Sequence, residues 1–497
     1  MRKLALLALL LFGLAPGAAR AFGATQCAGA RFGSDLGCTA NDVQITNMQA
    51  LNSPPSCTGG GTITLDLLLT VNFGSASRYD VGIFLSNDGK DPQKTVASGG
   101  SASCSIAILP TTSPFLNLDS NGGTDLCGDG NSTIGGGTGS GQLTMTGVTV
   151  ACQALNTTGQ LYVPFVVSWD NQASPTGLLC RSIADPVPGT KSKCNAPVIG
   201  LTPQVIVLPT ITKTDGKTQI TPGDAATYTI AITNNTGVTL STANGNAALF
   251  KDPAVTDLAV SSVTCAVTTG TATCPSAGSV TVAAMQGAGI TVPSMANGSV
   301  VTFTVNAQLN NNPTGTLTNT ATVTSNGQTA SVFDADTIVY PSLVNVKSST
   351  ALSDPFNGTS NPKRIPDGAV RYDVTVTNTG FGTVNANTLF IYDAIPTNTS
   401  LYVTDIGTAG SGPVSFSNGS LTSSLTYTFT SLASTTDDVD FSNNGGSSYS
   451  YTPVANANGV DPNVTNIRIN PKGTFAGDPV AGAPSPSCTA SFRVQIK

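Results

Sequence analysis

The chain has 497 residues, of which 21 are basic, 27 are acidic and none is histidine. All of the acidic residues are Asp, because the sequence contains no Glu. The lack of histidine excludes Ser-His-Asp and Cys-His catalysis and the HExxH zinc site. Few helix formers and abundant Thr, Val, Asn, Ser and Gly predict an all-β protein without catalytic activity.

The first 21 residues have the pattern of a secretory signal peptide. Arg2 and Lys3 precede the apolar run Leu4–Leu14, and an A-x-A cleavage site ends at Ala21. We expect cleavage after Ala21 and a secreted or cell-surface location. Cleavage leaves 18 basic residues against 27 acidic ones, a formal charge of −9 that disfavours nucleic acid as a partner. No stretch is long and apolar enough to predict a transmembrane helix.

Residues 22–200 form a cysteine-rich unit. Its eight cysteines are Cys27, Cys38, Cys57, Cys104, Cys127, Cys152, Cys180 and Cys194. An even number behind a signal peptide predicts four disulfides, whose connectivity the sequence leaves open, and the absence of any CxxC disfavours a metal cluster. Further along the chain, Cys265 and Cys274 predict a fifth, short-loop disulfide, and Cys488 lies in the apolar phase of the last strand, which predicts a buried free thiol.

Two apolar runs in the cysteine-rich unit, Thr62–Val71 and Leu161–Trp169, predict buried strands, with a glycine-rich break at Ile134–Gly137 between them. The unit also contains an Asp-rich loop whose oxygen side chains and glycines suit Ca²⁺. The candidate ligands are Asp119, Asn121, Asp125 and Asp129, with Asp80, Asp88 and Asp91 as further candidates. The loop lacks the twelfth-position Glu of an EF-hand, and Asp or Asn beside Gly is also an ordinary turn pattern.

From about residue 205 a strand repeats at a constant offset of 144 residues, since Pro222–Asn234 matches Pro366–Asn378. Both copies alternate with period two, which predicts half-buried strands with Tyr228 and its i+2 neighbours on the buried face. Each copy has a Lys before it and an Asp turn after it: Lys213 and Asp252 in the first, Lys347 and Asp393 in the second. The repeat predicts tandem β-sandwich domains over residues 201–341 and 342–497.

Several segments give these two units a family resemblance. They are Lys213–Asp215, Pro222–Ile230, Thr233–Gly237 and Leu317–Val323 in the first unit, and Val374–Gly380 and Asp461–Phe475 in the second. The first unit resembles the Ig-like conserved repeat of bacterial surface proteins, called domain of unknown function eleven. The other unit resembles the variant that ends such proteins, and Ser168–Asn171 with Pro188–Cys194 resembles the N-terminal module found with them. The resemblance implies Ig-like β-sandwiches in extracellular structural or adhesive proteins, and it implies no catalytic residues.

Two sets of residues suggest chemistry outside the Asp-rich loop. Lys213 and Asn319 are similar to the Lys–Asn pairs that form intramolecular isopeptide bonds in some surface sandwiches, with Asp224 or Asp252 as the helper acid. That reaction needs a buried Lys beside a protonated carboxylic acid, and polar strand ends are the alternative. The carboxylates of residues 437–440 could form a catalytic pair, but no apolar pocket pattern accompanies them, so we expect turn residues there.

The last predicted strand, Phe492–Ile496, has no following match to the strand Thr318–Thr324 of the middle unit. We therefore predict that the last sandwich lacks one strand and that Phe492–Ile496 is an edge to which another chain can add, unless Tyr449–Thr452 covers it. The function we expect is a secreted or cell-surface structural or adhesive scaffold, with other surface proteins or envelope polymers as partners. The alternative is an extracellular module that binds Ca²⁺ or carbohydrate through the Asp-rich loop.

Overall fold

The computed structural model describes residues 18–20, 22–74, 76–120, 125–173, 180, 193–311, 313, 315–479 and 484–497. Across these residues the chain is nearly all β-sheet, so the predicted fold class is confirmed. The helical segments are short: α1 (Ala28–Phe32), α2 (Ile134–Gly137), α3 (Val282–Gln286), and 3₁₀ turns at Val96–Ser98 and Ala277–Ser279. Most of the predicted signal peptide, residues 1–17 and Ala21, lies outside the described residues.

The N-terminal unit contains two packed sheets and a small third one. Its strands are β1 (Ala18–Arg20), β2 (Phe22–Thr25), β3 (Val43–Leu51), β4 (Ser56–Thr58), β5 (Thr62–Phe73), β6 (Tyr79–Ser86), β7 (Cys104–Ile108), β8 (Ser140–Ala151), β9 (Phe165–Asp170), β10 (Cys194–Asn195) and β11 (Ile206–Leu208). The sheet orders are β1-β8-β5-β3, β10-β9-β6-β7-β2 and β11-β4. Strand β9 begins four residues later than predicted, at Phe165, because Pro164 has no N–H for a ladder.

The core of the N-terminal unit forms where the two larger sheets face each other. Alternate residues of β5 are buried, including Leu67 and Leu69, and they pack with Trp169 of β9 in one hydrophobic cluster. Leu201, Val205 and Val207 belong to the same cluster, although the sequence places them after the unit. We propose that the first unit extends to about residue 208, where the ladder of β11 with β4 ends.

Five disulfides use the ten cysteines that the sequence singled out. The pairs are Cys27–Cys104, Cys38–Cys194, Cys57–Cys152, Cys127–Cys180 and Cys265–Cys274. The four pairs in the N-terminal unit close loops of 53 to 156 residues, and long loops give the larger restriction of the unfolded chain. Cys488 is a buried free thiol whose pKa burial raises to about 11.

The middle unit is a β-sandwich of two main sheets. Its strands are β12 (Thr210–Thr214), β13 (Gln219–Ile220), β14 (Ala225–Thr233), β15 (Leu240–Ser241), β16 (Ala248–Lys251), β17 (Leu258–Thr269), β18 (Ala272–Thr273), β19 (Ile290–Val292), β20 (Ser294–Met295), β21 (Val300–Leu309), β22 (Leu317–Ser325) and β23 (Gln328–Ile338). The sheet orders are β12-β14-β21-β17 and β13-β23-β22-β16-β19, with a small sheet β15-β20-β18. Tyr228, Ile230 and Ile232 of β14 are buried in the core, as their period-two spacing predicts.

The last unit repeats this plan with fewer strands in one sheet. Its strands are β24 (Leu343–Ser353), β25 (Ala369–Asn378), β26 (Ile391–Ala394), β27 (Thr399–Tyr402), β28 (Val414–Asn418), β29 (Val439–Ser442), β30 (Val460–Asp461), β31 (Asn466–Ile469) and β32 (Ser487–Ile496). One sheet has the order β24-β25-β32-β27-β30, with β28 also pairing with β32, and the other has the order β26-β31-β29.

The prediction that Phe492–Ile496 forms a free edge is wrong. Strand β32 pairs with β25 along one side, and β27 and β28 share its other side, with Leu401 opposite Val494 and Val414 opposite Phe492. These partners come from earlier in the chain, and no pattern in the sequence marks them as neighbours of β32. Instead, β24 lies at the edge of that sheet and β26 lies at the edge of the facing sheet.

Candidate metal centre

Four Asp residues of the N-terminal unit meet near the start of strand β6. Asp80 is the second residue of β6, while Asp119, Asp125 and Asp129 come from the loop between β7 and α2. All four are buried. One carboxylate oxygen from each lies within 4.8 Å of those of the other three. Oxygens that bind one Ca²⁺ at about 2.3–2.6 Å have separations in this range.

Backbone N–H groups orient these carboxylates. Asp129 accepts hydrogen bonds from the amides of Leu118 and Asp80, the second at 2.9 Å. Asp80 accepts one from the amide of Cys180 at 3.3 Å, and Asp125 accepts one from the amide of Cys127 at 3.2 Å. The second oxygen of Asp125, Oδ2, is buried and accepts no hydrogen bond within the described part of the chain. Backbone amides therefore fix three of the carboxylates, and Asp125 keeps an oxygen available to a ligand.

The charge of this cluster has no described counter-ion at three of its members. Among the described residues, no ion pair involves Asp80, Asp125 or Asp129. Burial, together with the charges of Asp125 and Asp119, raises the pKa of Asp80 to about 8, and burial raises the pKa of Asp129 to about 7. Carboxylates in such a site bind either protons or a cation, since isolated buried charges are too costly.

The surrounding chain holds the loop in place through covalent and close backbone contacts. Cys127 lies between Asp125 and Asp129 in sequence, and its disulfide with Cys180 ties the loop to the residue whose amide donates to Asp80. Gly128 packs against the chain so closely that a Cβ there would lie 2.1 Å from the carbonyl oxygen of Pro110. Asp80 adopts φ of 53°, an uncommon conformation that Asp tolerates better than most residues.

The structure brings together three of the four main candidate ligands and one of the three further candidates. Asp119, Asp125 and Asp129 converge, and Asp80, a further candidate in the sequence, completes the set. Asn121 lies outside the described residues. Asp88 instead accepts hydrogen bonds from the Ser86 and Ser101 hydroxyls and from two backbone amides, and Asp91 caps the amide of Gln93. All four Asp residues are buried, and carbohydrate binding by this loop stays a prediction.

The Asp residues at 437–440 stabilise a loop and a strand pair. Asp437 accepts the amide of Thr430 at 2.9 Å, and Asp438 accepts that of Thr428 at 2.6 Å. Asp440 forms a two-pronged ion pair with Arg468 at 3.0 and 2.7 Å. Asp437 and Asp438 fit the turn role that the sequence predicts for them, whereas Asp440 lies in strand β29 opposite Arg468 of β31.

A second carboxylate group lies in the middle unit. Asp215, Asp334 and Asp336 bring their oxygens within 4.8 Å of one another, and the amide of Asp215 donates to Asp334 at 2.8 Å. Burial raises the pKa of Asp336 to about 6, while the positive charge of Lys217 acts in the opposite direction. The local sequence does not indicate this group, because it forms only when the strand pair β22–β23 closes over the first strand of the unit.

Lys213 is buried beside an acid, as the isopeptide hypothesis requires. Its Nζ lies 2.8 and 2.7 Å from the two oxygens of Asp252 and 4.6 Å from the centre of the Tyr228 ring. Burial lowers the pKa of Lys213 and raises that of Asp252. Asn319 is buried too, and its Oδ1 accepts no hydrogen bond from any described residue. A bond between Lys213 and Asn319 stays a prediction.

No family model and no curated protein sequence matches the chain. The similar solved structures include the C-terminal domain of the antigen I/II polypeptide BspA of Streptococcus agalactiae, at 11% identity over 58% of this chain and 91% of that one, with a TM-score of 0.24. They also include the C-terminal domain of the antigen I/II-family protein AspA of Streptococcus pyogenes, at 12% identity over 58% and 91%, with a TM-score of 0.24. The major pilin SpaD of Corynebacterium diphtheriae matches at 14% identity over 56% and 61%, with a TM-score of 0.20. TM-scores this low transfer no function to this chain.

Within the described residues, no helix has both the length and the apolar character needed to cross a membrane.

Proposed function

We propose that this protein is a secreted or cell-surface structural scaffold without catalytic activity, whose N-terminal unit is locked by a bound Ca²⁺ ion. The observation that carries the Ca²⁺ site is the convergence of four buried carboxylates, one with a buried oxygen that accepts no described hydrogen bond. Ca²⁺ is favoured over Zn²⁺ because all four side chains are oxygen ligands, and over Mg²⁺ because a cluster of buried carboxylates leaves little room for retained water.

The ion would act as a cross-link. It would join β6 to the loop of residues 109–130, and the disulfide Cys127–Cys180 already ties this loop to the chain before β10. A site that forms only in the folded chain adds its binding free energy to the stability of the fold. Such a site suits a protein in a Ca²⁺-containing extracellular medium, where disulfides also persist.

The scaffold role is supported by how the chain uses its residues. Each of the three units has its own hydrophobic cluster, and the first and second units each contain internal disulfides. Several Asp residues outside the cluster stabilise turns or form ion pairs. The Asp354 carboxylate, for example, stabilises a turn by accepting hydrogen bonds from the backbone amides of Phe356, Asn357 and Lys363. The signal-peptide pattern supports export, and the resemblance to Ig-like surface repeats supports a surface role.

The Ca²⁺ site is tested by thermal unfolding of the mature chain in chelator and in Ca²⁺ at pH 8.5. A free-ion concentration 100 times the dissociation constant should raise the free energy of unfolding by about 2.7 kcal/mol. Asp125→Asn should remove most of this increase. It should also raise the stability in chelator, because it removes one buried negative charge that lies close to other carboxylates.

Asp88→Asn is the matched control, since Asp88 lies in the same unit but outside the cluster. It should lower the stability equally in chelator and in Ca²⁺ and leave the increase unchanged. A Ca²⁺-induced increase that survives Asp125→Asn and Asp80→Asn would disprove this site. The scaffold role is tested separately by fractionating the source cells into cytoplasm, envelope and medium, and a cytoplasmic protein with free thiols would contradict it.

A further inference from the structure

The last unit contains an open groove where the middle unit has a strand. In the middle unit, β16 pairs with β19 on one side and with β22 on the other. Its counterpart in the last unit, β26, pairs with β31 on one side, and no described strand pairs with its other side. The equivalence of β16 and β26 follows from Asp252 and Asp393, which contact the matched lysines Lys213 and Lys347 at 2.7 and 2.6 Å.

This open position has a cavity of about 520 Å³ between the two sheets. Its floor is formed by Val374 and Val376 of β25, and its sides by Leu343 and Lys347 of β24 and by Ile391 of β26. In the middle unit the inward residues of β22 close the equivalent space. These residues, Leu317, Asn319, Ala321 and Val323, are all buried.

Because no described strand of the last unit takes the place of β22, equivalent side chains are more exposed there than in the middle unit. The side chain of Lys213 is 0% exposed, whereas that of Lys347 is 36% exposed. Leu343 is 44% exposed at the groove, and Tyr392 on the free edge strand is 58% exposed. Apolar side chains grouped along an unpaired strand are unusual on a monomer surface and mark a binding site.

We infer that this groove is a strand-acceptor site, which binds an extended peptide segment of another protein as an added antiparallel strand beside β26. The chemistry of the occupant is given by β22, which fills the same position in the middle unit: Leu, Asn, Ala and Val at the inward alternate positions, with Thr between them. Backbone hydrogen bonds to β26 supply affinity, and the groove selects the alternate side chains.

The register of the added strand follows from the middle unit. There Phe250 lies opposite Val323, and Lys251 lies opposite Thr322. With Asp252 matched to Asp393, the residue equivalent to Val323 lies opposite Ile391 and points into the groove. The residue equivalent to Thr322 lies opposite Tyr392 and points outward, where the aromatic pair Phe390–Tyr392 forms a surface for its side chain.

The test uses the full mature chain and a synthetic peptide of residues 315–327, which contains β22. Saturable binding should be measured by fluorescence anisotropy, and hydrogen exchange should slow in the segment 389–395. A peptide carrying A321K and V323K should bind at least about tenfold more weakly, because both ammonium groups would enter a groove that has Val374 and Val376 as its floor and is already lined by Lys347. Protection that appears elsewhere, or equal binding of both peptides, would overturn the assignment.

Two variants of β24 form a matched pair. Leu343→Asp places a charge in the groove and should weaken peptide binding about tenfold, whereas Val344→Asp, the next residue on the opposite face of the same strand, should change it less than about twofold. Both positions are partly exposed, at 44% and 49%, so both variants should fold. If the chain self-associates with rising concentration and Leu343→Asp abolishes this, the strand that binds in the groove comes from a second copy of the chain and the proposal of a separate partner protein is wrong. This site is independent of the Ca²⁺ proposal.

Discussion

Two matched Lys–Asp ion pairs, one in each repeat unit, differ in burial and should therefore differ in the free energy that breaking them costs. Lys213–Asp252 and Lys347–Asp393 have nearly the same contact distance, 2.7 and 2.6 Å, and in each the ammonium lies over a Tyr ring of the repeated strand. The first pair is fully covered by the second sheet, and the other pair faces the open groove. A buried pair is costly to break because the remaining charge is left without solvent.

We predict that Lys213→Met lowers the free energy of unfolding by about 3–5 kcal/mol, because it leaves Asp252 buried and unpaired. Lys347→Met, the matched control, should cost clearly less, because water reaches the Lys347 side chain, which is 36% exposed, although that of Asp393 is 9% exposed. Denaturant unfolding of both variants measures the difference. Adding Asp252→Leu to Lys213→Met should recover much of the loss, and equal losses in the two single variants would contradict this account. Intact mass of the wild type, with its disulfides counted, tests for the ammonia loss of a Lys213–Asn319 bond.

The carboxylate cluster predicts a pH dependence with a definite sign. In chelator, the folded-state pKa values of Asp80 and Asp129, about 8 and about 7, lie above the value near 3.9 of an unfolded Asp. The folded state then binds more protons than the unfolded state, so these groups contribute stability that is fully present below about pH 4 and is lost progressively as the pH rises to about 8. Ca²⁺ replaces the protons and should abolish most of this loss.

Denaturant unfolding at pH 5.5 and pH 8.5, in chelator and in Ca²⁺, measures this effect. Asp336 has a pKa of about 6 and adds its own pH dependence, so each measurement is compared with Asp125→Asn, which changes only the cluster. The wild type in chelator should lose more stability with rising pH than this variant does. If both lose the same amount, the cluster is not the titrating group.

Both copies of the repeated segment end in an Asn, Asn234 in the first and Asn378 in the second, and the sequence alone indicates no role for it. Asn234 and Asn378 are both buried, and each donates two hydrogen bonds to backbone carbonyls of separate segments: Val238 and Met295 for the first, Gly382 and Ala476 for the second. Each also accepts a backbone amide two residues later. The repeated Asn therefore joins the end of the strand to its own following turn and to a segment that is distant in sequence.

We predict that Asn234→Ala costs about 2–3 kcal/mol, because buried carbonyls and an amide lose their partners. Asn306→Ala is the control, since Asn306 lies exposed on β21 and, within the described residues, its side chain hydrogen-bonds to the side chains of Thr227 and Ser262. Thermal unfolding should show a marked loss for the first and less than about 0.5 kcal/mol for the second. A loss smaller than that of the control would mean that water replaces the Asn amide.

Local pattern predicted the strands of this protein well, and long-range pairing poorly. The alternation in β14 and β25 identified their buried faces because period two is a property of a single strand. The prediction for the neighbours of β32 was wrong because its partners β27 and β28 are short strands without strong alternation, so the sequence does not mark them as strands of this sheet. Similarly, three of the four carboxylates lie in one loop and were found together, whereas Asp80, which begins a strand, joins them only through the tertiary fold.

At the scale of the whole molecule, the three hydrophobic clusters are joined by unequal junctions. The first and second units share backbone and side-chain hydrogen bonds, such as Ala154 N–H to the carbonyl of Thr236 at 2.8 Å, and Val238 packs against the first cluster. Between the middle and the last unit the amide of Thr383 donates to Thr221 at 3.3 Å, and no hydrophobic cluster of the described residues includes side chains from both units. A junction without a shared core transmits little stabilisation between units.

We predict that Ca²⁺ and the strand peptide stabilise different parts of the chain. In scanning calorimetry, Ca²⁺ should raise the transition of the N-terminal unit, because the ion binds only its folded form. The peptide of residues 315–327 should raise the transition of the last unit, and the two effects should be additive, since the sites lie in units with separate cores. Asp125→Asn should cancel the first shift alone and Leu343→Asp the second alone. A single transition that responds to both ligands would show instead that the three units unfold as one cooperative body.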